Sequence, residues 1–222
     1  LYLPVFLFFL NFAILAYFPA LGFPLTEPRN YFFANLLYMT VNFAVMLLIF
    51  RRTLWQSLRE FEGKMLLSVL IGFGMCYGAN LVLTTAYTVL DIMPENYNQE
   101  AVNSLLGGYP LAMTLCTVVL APLAEECLFR GVLFAPLARR CLPAAYALSM
   151  FLFAGMHVFQ FLGSMTAANT ILCLSLYLPA SFSLCWVYQK TGNIWACIFL
   201  HMFINFQSVL ASLLRSLMQA FL

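Results

Sequence analysis

Charge is what this sequence has least of. Lys, Arg, Asp and Glu make up 8% of its 222 residues, while 64% are hydrophobic. A chain of that composition cannot present a solvated surface if it folds as a soluble globule. The net charge of +2 is small and dispersed, which argues against a nucleic-acid partner. Histidine occurs twice, at His157 and His201, and neither C-x-x-C nor H-E-x-x-H spacing is present. The seven cysteines, Cys76, Cys116, Cys127, Cys141, Cys173, Cys185 and Cys197, lie in or beside apolar runs. They read as small buried hydrophobes, not as disulfides or zinc ligands. There is no soluble domain, low-complexity tract or internal repeat, and no basic segment precedes the first apolar run, so no cleaved signal peptide is read from it. These absences leave an integral membrane protein.

What is present is a series of apolar runs, each near the roughly 20 residues that cross a bilayer as a helix. Seven spans are expected, at about 1–23, 30–50, 65–90, 110–137, 143–162, 167–188 and 194–214. The fold class is therefore all-α, a polytopic transmembrane bundle, with residues 1–222 forming one transmembrane domain. An interfacial helix is expected between Arg51 and Lys64, where Leu54, Leu58, Phe61 and Met65 recur at helical spacing and Trp55 can sit at headgroup level. Gly74-x-x-x-Gly78 offers a close helix approach. Asp91, Glu95 and Glu100 mark an acidic loop.

Alternating the loops across the membrane puts Arg51, Arg52, Arg59, Lys64, Arg139, Arg140 and Lys190 on one side, and Arg29 and Arg215 on the other. By the positive-inside rule the amino terminus is then cytoplasmic and the carboxyl terminus lies on the opposite side.

Three charges, Glu125, Glu126 and Arg130, lie inside the fourth span. Each costs about 2.5 to 3.5 kcal/mol to insert, so their retention calls for a use. Glu126 and Arg130 stand four residues apart and can pair along one helical face. Glu125 points about 100° away and has no partner on its own helix, which makes it the reactive candidate. Pro122 removes a backbone hydrogen bond just before the pair.

At about 1.5 Å per residue, Glu125 before Arg139 and His157 after Pro143 lie at equal depths, roughly 20 Å in. His201 and Asn205, counted from Asn193, lie roughly 12 and 18 Å in and share a face. Taken singly, a histidine in a span often serves as a helix-to-helix hydrogen bonder. Asn205 alone reads as structural, since Asn11, Asn35, Asn42 and Asn80 also fall in spans. The convergence of Glu125 with both histidines is what points to chemistry.

Glu125-Glu126-x-x-x-Arg130, Phe153-x-x-x-His157 and His201-x-x-x-Asn205 resemble, in order, the three motifs of the CPBP intramembrane proteases, the CAAX-protease and bacteriocin-processing (Abi) family that includes the Ras-converting CAAX endopeptidase. The motifs fall within a core of about 110–214. The resemblance implies an endopeptidase in which Glu125 and His157 activate a water, while His201 and Asn205 stabilise the oxyanion. Glu126 and Arg130 take a supporting part. The substrate it implies is a hydrophobic or membrane-tethered peptide, met within the lipid bilayer and reached from the cytoplasmic half. No cofactor is expected; a divalent metal such as zinc, held by Glu125, His157 and His201, is the alternative. Two readings from other classes stand beside the protease. One is a non-catalytic membrane scaffold or bacteriocin immunity protein of the same fold, and the other is a proton-coupled transporter.

Overall fold

A computed structural model describes residues 10, 13, 14 and 16–220 of the chain. The expected span at 1–23 falls largely outside the described residues. The rest is helical: α1 (Pro28–Arg59), α2 (Met65–Val89), α3 (Tyr97–Gly108), α4 (Pro110–Ala138), α5 (Leu142–Val158), α6 (Ala167–Thr191) and α7 (Ile194–Ala220). A short 3-10 turn, Phe159–Ser164, extends α5. Six of these helices, all but α3, are long and apolar enough to cross a membrane, and the chain is an integral multi-pass membrane protein. Large apolar side chains such as Leu67, Leu70, Val82 and Ile171 face outward, as a lipid-solvated bundle requires.

Three expectations change. The segment from Arg51 to Arg59 is the last part of α1 and not a separate interfacial helix. No Pro or Gly interrupts the chain from Asn30 to Glu62, so nothing breaks the helix before Gly63. Gly74 and Gly78 have no neighbouring atom within 4 Å of an added Cβ, whereas Gly72 would meet Val187 Cγ2 at 2.7 Å and Leu200 Cδ2 at 2.9 Å. The close approach of α2 to α6 and α7 is therefore made at Gly72. Six of the cysteines are buried as expected, but Cys141 is exposed in the turn before α5.

The acidic loop contains a helix that composition did not announce. Asn96 caps α3, its Oδ1 accepting from the Gln99 backbone N–H at 3.1 Å. The preceding strap is tied to α6, where the Asn169 side chain exchanges hydrogen bonds of 2.9 and 3.0 Å with the Glu95 backbone.

The two ends of the bundle differ. At one end the turns carrying the basic residues come together: Asn193 Nδ2 donates to the Ser57 carbonyl at 2.7 Å, and Trp195 Nε1 to the Leu54 carbonyl at 2.8 Å. Tyr146 near the start of α5 donates to Gln189 near the end of α6 at 2.6 Å. Between this end and the middle of α4, Met46, Leu54, Leu123, Cys127, Ile194 and Ile198 form a filled apolar core. The other end holds a cavity roofed by α3.

Candidate active site

The fourth span is one continuous rod, but not a regular α-helix. Two π-helical turns interrupt it, at Cys116–Leu120 and Cys127–Phe134. Each is followed directly by an Ala-Pro pair, Ala121-Pro122 and Ala135-Pro136. In the first, the Ala121 N–H reaches back five residues to the Cys116 carbonyl. The same pattern would have residue 122 bond the Thr117 carbonyl, but proline has no N–H. The orphaned carbonyl takes a side-chain donor from another helix: Asn205 Nδ2 on α7 donates to Thr117 O at 2.8 Å. Pro122 thus frees a carbonyl, as the sequence leads one to expect, and Asn205 satisfies it.

Glu126 and Arg130 form the expected pair, Nη1 to Oε1 at 3.0 Å, with both side chains fully buried. Arg130 is held further by the Ser181 carbonyl at 3.1 Å and by the ring of Phe153, 5.2 Å from its guanidinium carbon. Ser181 Oγ in turn lies 3.5 Å from the Ser149 carbonyl. A charge pair in an apolar bundle persists when its remaining hydrogen-bonding groups find partners, and these contacts supply most of them.

Glu126 does more than neutralise Arg130. Its Oε1 also accepts from His201 Nδ1 at 2.8 Å, which fixes the imidazole so that Nε2 faces Glu125, 3.9 Å from Oε2. That Glu125 oxygen is buried and has no hydrogen-bond partner among the protein groups. His157, in the last turn of α5, is set by a bond of 2.8 Å between Nδ1 and the Phe153 carbonyl. A carbonyl can only accept, so Nδ1 carries the proton and Nε2 of the neutral ring keeps its lone pair. The ring stacks on Tyr177, centroids 4.5 Å apart. The Tyr177 hydroxyl donates to Asn96 Oδ1 at 3.0 Å and accepts from Asn98 Nδ2 at 3.2 Å, linking His157 to the strap and α3.

Glu125, His157 and Asn205 line one cavity of about 590 Å³. His201 stands behind Glu125, nearly buried. Cys127 is sealed in the core and does not reach the cavity. Among the described residues no three His, Cys, Asp or Glu side chains converge as metal ligands. A zinc ion on Glu125, His157 and His201 is not part of the reading below, and no step runs through a metal.

The cavity walls come from Tyr31 to Asn42 of α1, from α3, from Met113 to Leu133 of α4, from the end of α5 and the 3-10 turn, from Tyr177 of α6 and from Asn205 to Val209 of α7. Met46, Leu54 and Ile198 pack into an apolar core toward the basic end, while Leu133, six residues before Arg139, still lines the cavity.

The sequence reading also missed one wall. Tyr31, Asn35, Tyr38 and Asn42 of α1 all face the cavity. Asn35 Nδ2 donates to the Tyr31 carbonyl at 2.9 Å and Asn42 Nδ2 to the Tyr38 carbonyl at 2.8 Å. The amide groups are thereby oriented along one wall. The signal was available: spacings of four, three and four put these residues on a single helical face, and polar groups on one face of a span mark an interior surface.

Residues 107–207 match the family model of the type II CAAX prenyl endopeptidase Rce1-like proteins, a range holding every motif residue named above. The chain is also 28% identical, over 166 residues, to YdiL of Bacillus subtilis (strain 168), named as a candidate membrane peptidase. That alignment covers 72% of this chain and 64% of YdiL, less than two thirds of that protein's length. No solved structure matches the chain. Over residues 107–207, then, the protein is similar to the Rce1-like type II CAAX prenyl endopeptidases.

Proposed function

We propose that the protein is an intramembrane endopeptidase that hydrolyses a peptide bond in a hydrophobic or membrane-tethered peptide, with Glu125 and His157 activating water. The observation that carries this reading is the unpartnered buried oxygen of Glu125, which shares a cavity with His157 and Asn205 and faces His201 at 3.9 Å. A carboxylate and an imidazole lone pair on one cavity wall form a general-base arrangement for a bound water.

In the first step a water O–H proton passes to Glu125 while the water oxygen bonds to the scissile carbonyl carbon. The carbonyl π pair moves onto oxygen. His157 orients the water through Nε2. The oxyanion is met by the Asn205 N–H not spent on Thr117, while His201, behind Glu125, faces that carboxylate through Nε2. In the second step the oxyanion pair returns, the C–N bond breaks, and the proton held by Glu125 goes to the departing amine. A carboxylic acid and an amine leave, the acid then passing its remaining water-derived proton to the amine or to solvent, and Glu125 is restored. Metal-free hydrolysis is part of this reading.

The test is purified protein in nanodiscs with a fluorogenic apolar peptide in H2(18)O, with and without a chelator. One 18O atom in the new carboxyl group and cleavage retained under chelation are the expected results. No cleavage by the wild type refutes the protease reading, and loss of cleavage under chelation refutes its metal-free form.

Orientation belongs to the same proposal. The seven basic residues gather at one end of the bundle, and the positive-inside rule makes that end cytoplasmic. Cys141 reports on this directly, being the one exposed cysteine of the seven and adjacent to Arg140. A membrane-impermeant maleimide should label inverted vesicles and spare intact cells, with Cys141→Ser abolishing the signal. Labelling of intact cells would reverse the orientation.

A further inference from the structure

We propose that the Thr117 hydroxyl is a catalytic hydrogen-bond donor, placed beside Asn205 to stabilise the tetrahedral oxyanion. The inference rests on the protease reading above and adds to it a residue outside the three motifs.

Three observations meet at Thr117. Its Oγ1 is buried yet has no hydrogen-bond partner. A threonine in a helix ordinarily bonds its hydroxyl to the carbonyl three or four residues earlier, as Thr84 and Thr88 do in α2. Thr117 does not, although an unsatisfied buried hydroxyl costs about 1 to 3 kcal/mol. Second, the residue lines the cavity shared by Glu125, His157 and Asn205. Third, its own carbonyl is the acceptor that positions Asn205, so the hydroxyl and the Asn205 amide belong to one hydrogen-bonded unit.

The π turn explains how Thr117 comes to this wall. Eight residues at about 100° each would leave Thr117 about 80° from Glu125 around a regular helix. A π turn takes in one extra residue, turning the preceding helix back by about 100° and bringing the two within about 20° of each other. The wide turn at Cys116–Leu120 lies between them. The same irregularity therefore frees the carbonyl that holds Asn205 and brings Thr117 to Glu125's side of the helix. A hydroxyl donor costs nothing to reorganise when charge develops on the carbonyl oxygen, which is the condition for transition-state stabilisation. It forms no covalent bond and gives up no proton.

The experiment compares wild type, Thr117→Val, Thr117→Ala and Thr117→Ser in nanodiscs. Two probes are used: a fluorogenic apolar decapeptide, and its phosphinate counterpart with a tetrahedral anionic P–O group in place of one central carbonyl. Val keeps the shape and Ser keeps the hydroxyl. We expect kcat to fall about 100-fold in the Val and Ala variants with KM unchanged, as for loss of one oxyanion donor, and Ser to stay within about threefold of wild type. Affinity for the phosphinate should fall at least about tenfold in Val and Ala, while affinity for the parent peptide and Tm hold. The proposal is overturned by unchanged kcat in Val and Ala, by equal loss of affinity for both probes, or by a Ser variant as impaired as Val. If the wild type cuts nothing, the protease reading falls. The phosphinate-to-parent affinity ratio still decides whether the hydroxyl serves a tetrahedral anion.

Discussion

Glu125→Gln is expected to lower kcat by about a thousandfold or more while leaving the protein folded and peptide affinity intact. A positioned general base contributes about 10²- to 10⁴-fold, and a thousandfold loss corresponds to about 4 kcal/mol of barrier. Gln has the size and polarity of Glu but cannot take a proton from water. The contacts that hold the bundle near this point belong to Glu126, which pairs with Arg130 and His201, and not to Glu125. The free Glu125 oxygen makes no bond whose loss would weaken the fold. Initial rates and peptide affinity measured on equal amounts of monodisperse protein separate the two effects. Retention of more than about a tenth of wild-type kcat would remove Glu125 from the role of base.

Arg130→Ala is expected to have the largest effect on stability. It strands the buried carboxylate of Glu126, and breaking such a pair from one side costs about 3 to 5 kcal/mol. It also takes the guanidinium from the Ser181 carbonyl and from the Phe153 ring. The variant should be depleted from the membrane fraction and lose Tm. Replacing both partners, as Arg130→Met with Glu126→Gln, removes the uncompensated charge and should recover much of the abundance, because an apolar replacement of a buried pair is often neutral. The deviation from additivity between single and double variants measures the coupling. Wild-type abundance of Arg130→Ala with lost cleavage would instead move Arg130 into the chemistry.

These two variants divide the charges of α4 by what each touches. The i, i+4 relation of Glu126 and Arg130 and the isolation of Glu125 are legible in the sequence, because both are local properties of one helix. The additional bond from Glu126 to His201 is not, since it joins residues 75 apart in the chain. The same distinction separates the two groups of asparagines. Asn205 was singled out by its spacing from His201, and Asn35 and Asn42 were set aside as ordinary polar residues in a span. All three face the same cavity. Packing decides this, because nothing in α1 alone says which side meets α4.

That the chain crosses a membrane, about where the six described crossings begin and end, and which few polar groups lie within them are legible in the sequence alone. Hydrocarbon imposes those properties residue by residue, through a fixed helix length and a high cost per charge. Tertiary structure supplies the rest: α3 lies against the cavity, and Thr117 lines it together with Glu125. Each depends on long-range packing or on a helical irregularity. Pro122 signals that a backbone bond is missing, but a neighbouring helix, through Asn205, determines how the freed carbonyl is satisfied.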